Sequence, residues 1–193
     1  TAGISSMIPP VVILVLAWGV SAVCQTDRLD TAGYLIGIIG DSVSAEFLPA
    51  TAFILSGAIA VAIGSSFTTM ALLVPMLLPL TWTVLASTGS PSVQDPILAA
   101  TTGAILAGAI FGDHCSPISD TTVLSSAAAG CEHLQHVATQ LPYALLTAAA
   151  SILLGYLPVG FGMPWWICLP VAAAACVGGI VLLGQDSDVS DSS

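Results

Sequence analysis

The sequence is nearly devoid of positive charge. Its 193 residues contain a single Arg or Lys, Arg28, against eleven Asp and Glu, which gives a formal net charge of −10. Such a chain has nothing with which to neutralise phosphates, so nucleic-acid binding is excluded. Charged residues of both signs amount to only 6%, whereas a soluble domain carries about 25%. A soluble protein with so little surface charge would not stay dispersed.

The sequence also lacks a disulfide framework and a leader segment. Its five cysteines include no CxxC pair and lie in or beside apolar segments, where a thiol behaves as a small hydrophobe. The chain starts at Thr1, close to a hydrophobic run, with no initiator methionine and no signal or transit pattern. We therefore expect the C-terminal part of a longer protein, or a processed product.

Hydrophobic residues fill the sequence instead, at 56% of the chain and a mean hydropathy of +1.01. Because a spanning helix takes about 20 apolar residues, this pattern predicts an all-α, multi-pass protein of the cell membrane, in contact with lipid. We predict five to six hydrophobic segments in a transmembrane domain, residues 1–184, and an acidic, disordered tail, residues 185–193. The six segments are 4–24, 47–63, 70–86, 97–130, 137–157 and 163–184, and a short interfacial helix is predicted at 31–46.

The first polar interruption, Gly64 to Thr69, divides the uncharged stretch 47–86. Each flank is only marginally long enough for a span. Two arrangements fit: two short spans joined by a tight turn, or a re-entrant hairpin whose hydroxyl-rich tip lies near the membrane midplane. Non-helical backbone at that depth must be buried in protein or line a cavity. Small residues here also allow close helix packing.

The second polar interruption, Gly112 to Thr122, places two carboxylates, an imidazole, a thiol and several hydroxyls in an apolar stretch. Ionisable groups at membrane depth are costly and usually mark an ion or substrate path. Pro117 has no N–H, so a helix through it loses the bond to the Asp113 carbonyl. The residue before a proline is also biased out of the helical region. We expect two half-helices, with a break around 113–117 that exposes free carbonyls and with Asp120 or Thr121 as the cap of the second.

Paired interruptions of this kind are the best sequence indication of a transporter binding site. Unwound carbonyls, carboxylates and hydroxyls are hard oxygen ligands, which suit Na⁺. A low-dielectric site disfavours a charged carboxylate, whereas an adjacent cation favours it, so Na⁺ and H⁺ compete for one group. We predict that Na⁺ binds Asp113 and Asp120. The candidate cation- and proton-binding residues are Asp113, His114, Ser116, Asp120, Thr121 and Thr122 at the second break, and Ser65, Ser66 and Thr68 at the first.

The residues at these positions resemble the NhaC family of Na⁺/H⁺ antiporters. The likeness rests on Gly112-Asp-His-Cys-Ser-Pro-Ile-Ser-Asp-Thr-Thr122 with Ser125-Ser126, on Cys131-x-His133-x-x-His136-Val137-x-Thr139-Gln140-x-Pro142-Tyr143-Ala144, on Gly64-Ser65-Ser66-Phe67-Thr68, and on Ile8-Pro9-x-x-Val12 through Trp18. The first break departs from the family's usual Gly-Thr-Ser-Trp-Gly, since it lacks the Trp and the second Gly.

The resemblance implies a secondary antiporter that exchanges Na⁺ for H⁺ by alternating access, with re-entrant hairpins and unwound helices around the site. Family members are longer, so the N-terminal half of the transporter is an expected partner of this chain. We expect no cofactor besides the transported Na⁺ and H⁺. We also expect no enzymatic activity, because the sequence offers no convincing pair of nucleophile and base.

Two other functions stay open. The first is an organic-anion or amino-acid antiporter of the same family, of the malate/lactate type; the absence of Arg and Lys near the breaks counts against it. The second, with less support, is a metal-binding membrane protein built on cysteines and histidines: His114, Cys115, Cys131, His133 and His136. Assembly into a homo-oligomer is also left open.

Overall fold

The computed structural model describes residues 44–89 and 91–183, apart from the side chains of Thr88, Asp120, Ala127 and Leu183. In these ranges the chain is helical and contains no strand. After a 3₁₀ turn, Ala45–Phe47, the helices are α1 Leu48–Ile63, α2 Ser66–Thr88, α3 Pro96–Cys115, α4 Asp120–Ala129, α5 His133–Ala150, α6 Leu157–Gly160 and α7 Trp165–Leu183. A π-helical stretch, Ser151–Tyr156, makes α5 and α6 continuous.

Five of these helical segments are long and apolar enough to cross a membrane: Ala45–Ile63, Ser66–Ser87, Pro96–Cys115, His133–Gly160 and Trp165–Leu182. This confirms the prediction of an all-α, multi-pass membrane protein. The predicted segment 4–24, most of the interfacial helix at 31–46 and the tail at 185–193 lie outside the described residues, so those predictions and the domain boundary stay predictions.

Helices α1 and α2 form an antiparallel hairpin whose tip is Gly64-Ser65. Gly64 ends α1 in the left-handed conformation, with φ 72°, which glycine adopts without steric cost. Ser65 is extended and caps α2, since its hydroxyl accepts the Thr68 N–H. Each arm of the hairpin has the length of a membrane span, as the first of the two predicted arrangements requires.

Helices α1 and α3 run parallel in very close contact. A Cβ on Gly108 would lie 2.4 Å from the carbonyl oxygen of Phe53, and a Cβ on Gly112 would lie 2.2 Å from that of Gly57. In both pairs the residue on α3 follows the residue on α1 by the same number of positions in the sequence. Small residues one turn apart on α3 therefore face successive turns of α1. Such residues let helix backbones approach in a membrane. This packing fixes the end of α3, where the second break lies, against the end of α1.

The apolar core lies where α2 and α5 close over this pair of helices. Its buried members come from four helices and are Ala52, Phe53, Leu73, Ala104, Ile105 and Ala148. The Phe53 ring stacks on Phe111 at a centroid distance of 5.7 Å. The core therefore holds α3 on several sides.

The second break occurs where the sequence predicts it, but its arms are unequal. Helix α3 ends at Cys115, and Ser116 is extended with ψ 122°, as expected for a residue before a proline. The predicted break divides this segment into two helices of unequal length: α3 has 20 residues, enough to cross a membrane by length and composition, whereas α4 has 10. The break is therefore a sharp turn between a long helix and a short one.

Candidate functional site

The two polar breaks meet at one end of the bundle. A Cβ on Gly64 would lie 2.9 Å from the carbonyl oxygen of Ile118, so the hairpin tip touches the second break. Ser116, fully buried, donates its hydroxyl to the carbonyl oxygen of Val61 at 2.9 Å. This bond satisfies one of the last carbonyls of α1, which a helix leaves without an intrahelical partner. The two polar breaks, which are far apart in the sequence, are therefore in direct contact in the fold.

Asp113 is the buried acid of this region, with 4% of its surface exposed. Its Oδ1 accepts a hydrogen bond from the Ser119 hydroxyl at 2.8 Å, and its Oδ2 accepts one from the Thr121 hydroxyl at 2.6 Å. The two hydroxyl oxygens are 2.8 Å apart. The carboxylate and the two hydroxyls thus form a closed ring of oxygen contacts, which we call the Asp113 ring.

The backbone of Asp113 is also satisfied. Its carbonyl oxygen accepts the Ser116 N–H at 3.2 Å and the Thr122 hydroxyl at 3.3 Å. The prediction that Pro117 leaves this carbonyl free is therefore wrong. The last turn of α3 tightens to a bond three residues on, as helix ends commonly do, and Thr122 returns to the same oxygen. The oxygen atoms with which the break could bind a cation therefore belong mainly to side chains, because the Asp113 carbonyl oxygen is already hydrogen-bonded.

Ser119 holds the start of α4 as well as the carboxylate. It precedes the first residue of α4, and its hydroxyl oxygen lies 3.4 Å from the Thr122 nitrogen, in the geometry of an N-cap. The sequence predicts Asp120 or Thr121 in that role, whereas the structure gives this geometry to the Ser119 hydroxyl. The positive end of the α4 dipole therefore lies beside the Asp113 ring, where it favours negative charge. A Ser directly before a helix that follows a proline is the sequence signal that could have identified it.

A cavity of about 500 Å³ opens beside the Asp113 ring, between α2, α3, α4 and α5. It brings together five of the predicted site residues, from both breaks: Ser66, Asp113, His114, Thr121 and Thr122. Helix α5 contributes two more wall residues, His136 and Gln140, which were absent from the predicted set. The structure therefore brings polar side chains from four separate helices to one open cavity, whose wall surface is mostly apolar.

Three further predicted residues have local hydrogen bonds: Ser65 and Thr68, which do not line the cavity, and His114, which does. Ser65 and Thr68 are hydrogen-bonded to each other within the cap of α2. Nδ1 of His114 lies 2.8 Å from the carbonyl oxygen of Ile110, on its own helix, and the hydroxyls of the Asp113 ring are what orient the acid. The side chain of Asp120 lies outside the described part of the structure, so its pairing with Asp113 stays a prediction.

His133 ties the start of α5 to the second break. Its Nε2 lies 2.6 Å from the carbonyl oxygen of Pro117, and its Nδ1 lies 3.1 Å from the Ser126 hydroxyl. Since a carbonyl oxygen only accepts, Nε2 carries the proton of this contact. His133 is thus a positioning residue for the break loop, a role that the sequence does not reveal because its partner lies 16 residues away.

These contacts also bear on the metal-binding alternative. Among the described residues, no three His, Cys, Asp or Glu side chains lie close enough together to hold a metal ion. Both ring nitrogens of His133 are engaged by the break loop and by α4. The predicted cluster of His114, Cys115, Cys131, His133 and His136 is therefore not assembled.

The role of His133 can be tested by amide exchange. We expect His133→Ala to raise the hydrogen–deuterium exchange of residues 116–123 about fivefold, because a net hydrogen bond is worth about 1 kcal/mol. His133→Gln, whose amide keeps a donor for the Pro117 carbonyl, should restore part of the protection. Gln135→Ala, an exposed position on the same turn, is the matched control. Equal exchange in His133→Ala and the parent protein would refute the positioning role.

A multi-pass helical protein with a buried, hydroxyl-bound carboxylate where two polar breaks meet has the features of a membrane transport protein. The chain belongs to the Na⁺/H⁺ antiporter family, whose pattern it matches over residues 1–161.

Its relatives are longer proteins. The chain is 38% identical over 159 residues to an uncharacterised protein of Haemophilus influenzae, covering 82% of this chain and 28% of that protein. It is 37% identical over 119 residues to an uncharacterised Na⁺/H⁺ antiporter of the same organism, covering 59% and 23%. It is 36% identical over 111 residues to an arginine/ornithine antiporter of Halobacterium salinarum, covering 57% and 20%. The chain thus spans about a quarter of these relatives' length, and no solved structure matches it.

Proposed function

We propose that the chain is the C-terminal part of an NhaC-type antiporter of the plasma membrane that exchanges Na⁺ for H⁺ by alternating access. The observation that carries the proposal is the hydrogen count of the Asp113 ring. The ring has three oxygen–oxygen contacts, at 2.8, 2.6 and 2.8 Å. Two hydroxyls supply only two protons for these contacts, because each hydroxyl has one O–H.

A proton on Asp113 completes the ring. A protonated carboxyl group donates one hydrogen bond, so all three contacts then contain a hydrogen and the group is neutral. In the ionised form, one contact brings two oxygens together with no hydrogen between them. Either a proton on the carboxyl group or a cation bound among the oxygens would fill that contact.

A cation can replace that proton. The described residues contain neither Lys nor Arg, so no basic side chain of these types neutralises Asp113 within them, and a buried charge needs a partner or is neutralised. Na⁺ bound by the carboxylate and the hydroxyl oxygens would supply the charge, and these are the hard donors that such ions prefer. Because proton and Na⁺ use the same oxygens, the site holds one or the other, as exchange requires.

Two further parts of the proposal concern the rest of the transporter. Asp120 follows Ser119 directly and begins α4, so we assign it as the second acidic group of the coupled site. The N-terminal part of the protein supplies the surfaces against which this bundle moves, as in transporters built from two repeats.

The test is exchange by the full-length protein in proteoliposomes. With an imposed pH gradient, Na⁺ should dissipate the gradient, whereas choline at the same ionic strength should not. Vesicles loaded with ornithine, malate or lactate serve as the second arm. Counterflow of arginine or of an organic anion that needs no Na⁺, in vesicles whose pH gradient does not respond to Na⁺, would refute this proposal. It would favour the alternative function, an organic-anion or amino-acid antiporter.

A further inference from the structure

Helix α7 forms one wall of an apolar cleft at the end of the bundle opposite to the Asp113 ring. The cleft has a volume of about 470 Å³ and lies between the start of α3, the π-helical stretch with α6, and the start of α7; we call it the α7 cleft. Pro96 begins α3 and Asp113 lies in its last turn, so the two are about 25 Å apart at the rise of an α-helix. The family pattern matches residues 1–161, whereas α7 begins at Trp165. One wall of this cleft therefore lies beyond the part of the chain that the pattern describes.

The α7 cleft opens at one end of the spans and runs inward. Helix α3 begins at Pro96, α7 begins at Trp165, and the continuous helix α5–α6 ends at Gly160, so three helix ends lie at its mouth. The Trp165 side chain is 65% exposed there, and tryptophan is enriched at the headgroup level of a membrane. From Trp165 to Ala172, the wall residue farthest along α7, the cleft extends about 10 Å at the rise of an α-helix. It therefore reaches from the headgroup level into the hydrocarbon of one leaflet.

Small, uncharged residues shape the wall of the α7 cleft. A Cβ on Gly155 would meet nothing within 4 Å, and none of the described residues that line the cleft is charged. Gly155 belongs to the π-helical stretch, an uncommon form that appears frequently at functional sites. The small members of the wall come from all three helices and are Ala99, Ala100, Gly155 and Ala172. Together they leave an apolar hollow that a larger side chain on any of these helices would fill.

We propose that the α7 cleft binds one acyl chain of a membrane phospholipid. Its three walls belong to helices that are long and apolar enough to cross a membrane, so the cleft faces hydrocarbon. Dispersion contacts are individually small but add up, and a chain in this cleft has protein atoms on three sides, whereas a chain on an open helix face has them on one. The described residues contain neither Lys nor Arg, so the site recognises the chain and not an anionic headgroup. This proposal does not rest on the proposed function.

The size of the α7 cleft favours a lipid chain over a protein helix as its occupant. A volume of about 470 Å³ spread over about 10 Å of length corresponds to a mean cross-section of about 45 Å². An α-helix with its side chains is about 10–12 Å across, which corresponds to roughly 80–110 Å². A helix from a second copy or from the rest of the transporter can therefore lie over the cleft but not within it, whereas a single hydrocarbon chain fits inside.

The site can be tested with a photoactivatable phosphatidylcholine that carries a diazirine on one acyl chain. The full-length protein is reconstituted in phosphatidylcholine vesicles that contain this lipid, extracted in detergent, washed and then irradiated, and mass spectrometry of its peptides locates the adducts. We expect adducts on the walls of the cleft, residues 96–100, 151–159 and 165–172, because only an enclosed chain resists the detergent. The other end of α7, residues 177–182, is exposed along the bundle surface and should carry few.

Filling the α7 cleft should remove the retained lipid. Gly155→Leu places a side chain in the open space of the cleft, and Ala172→Leu does so from α7 without a change in the π-helical stretch. Each variant is analysed on the walls that it does not change, where adducts should fall to the level of residues 177–182. Gly178→Leu is the matched control, since a Cβ there also meets nothing within 4 Å and Gly178 does not line the cleft. It should keep the adducts of the parent protein.

Three results would overturn the lipid site. The first is a frequency of adducts on the cleft walls no higher than on residues 177–182, and the second is an equal loss in Gly178→Leu and in the two cleft variants. The third comes from irradiation of the vesicles before extraction: labelling of residues 177–182 without labelling of the cleft walls would mean that another part of the protein, or a second copy, covers the cleft. Ion exchange does not enter this measurement, so a failure of the proposed function would leave the lipid site standing.

Discussion

Asp113→Asn is expected to abolish Na⁺-dependent dissipation of a pH gradient by the full-length protein. The amide keeps the shape of the side chain but carries no charge, so neither Na⁺ nor a titratable proton is held. Removing one partner of a buried charged pair costs about 3 kcal/mol, which corresponds to a loss of about 100-fold in Na⁺ affinity. The measurement is the Na⁺ concentration dependence of the exchange rate in proteoliposomes.

Asp95→Asn provides the matched control. Asp95 lies at the other end of α3, where its carboxylate caps the helix by accepting the Ile97 N–H at 2.9 Å. Asn is an equally good N-cap, so exchange should stay at the parent level. Normal exchange in Asp113→Asn, or an equal loss in both variants, would remove Asp113 from the transport step.

Gly112→Ala is expected to give the second large effect, through the contact between α1 and α3. The added Cβ would lie 2.2 Å from the Gly57 carbonyl oxygen and 2.6 Å from the Ala60 Cβ. Backbone atoms cannot move aside as a flexible side chain does, so the helices must separate. Overpacking of this kind costs about 1–3 kcal/mol of unfolding free energy, and it displaces Asp113 next to it. Both the melting temperature in detergent and the exchange rate should fall.

Gly103→Ala offers the same substitution on the same helix without the clash, since a Cβ there would meet nothing within 4 Å. Alanine is favoured over glycine in a helix by about 1 kcal/mol, so this variant should be at least as stable as the parent. If Gly112→Ala were as stable as Gly103→Ala, the close packing of α1 on α3 would be wrong.

The positions of the breaks could be predicted from the sequence because they depend on local chemistry. Pro117 ends α3 through its missing N–H and its effect on the preceding residue, and Gly64 supplies the left-handed turn of the hairpin. The apolar runs around them predicted the spans for the same reason, since length and hydropathy are properties of each segment alone. Of the predicted residues of the second break, Thr121 and Thr122 bond to Asp113, whereas the prediction that these residues bind a cation stays a prediction.

The contacts that build the site depend on tertiary packing and could not be predicted. The bond from Ser116 to Val61 and the contact of His133 with Pro117 each join the break loop to a helix distant in the sequence. The capture of the Asp113 carbonyl by Thr122 also requires α4 to fold back on α3. The prediction of free carbonyls is wrong for this reason. The Asp113 carbonyl oxygen that Pro117 frees can be identified from the sequence, whereas the Thr122 hydroxyl that bonds to it can be identified only from the fold.

We propose that one proton and one Na⁺ compete for the Asp113 ring, and this competition can be measured as proton release on Na⁺ binding. Purified full-length protein in weakly buffered detergent solution is titrated with NaCl while a pH indicator reports released protons, with choline chloride as the ionic-strength control. Binding of a metal ion to a protonated ligand must displace its proton. We expect a saturable release of protons with NaCl that is absent with choline and lost in Asp113→Asn. Na⁺ binding without proton release, or an unchanged release in Asp113→Asn, would contradict it.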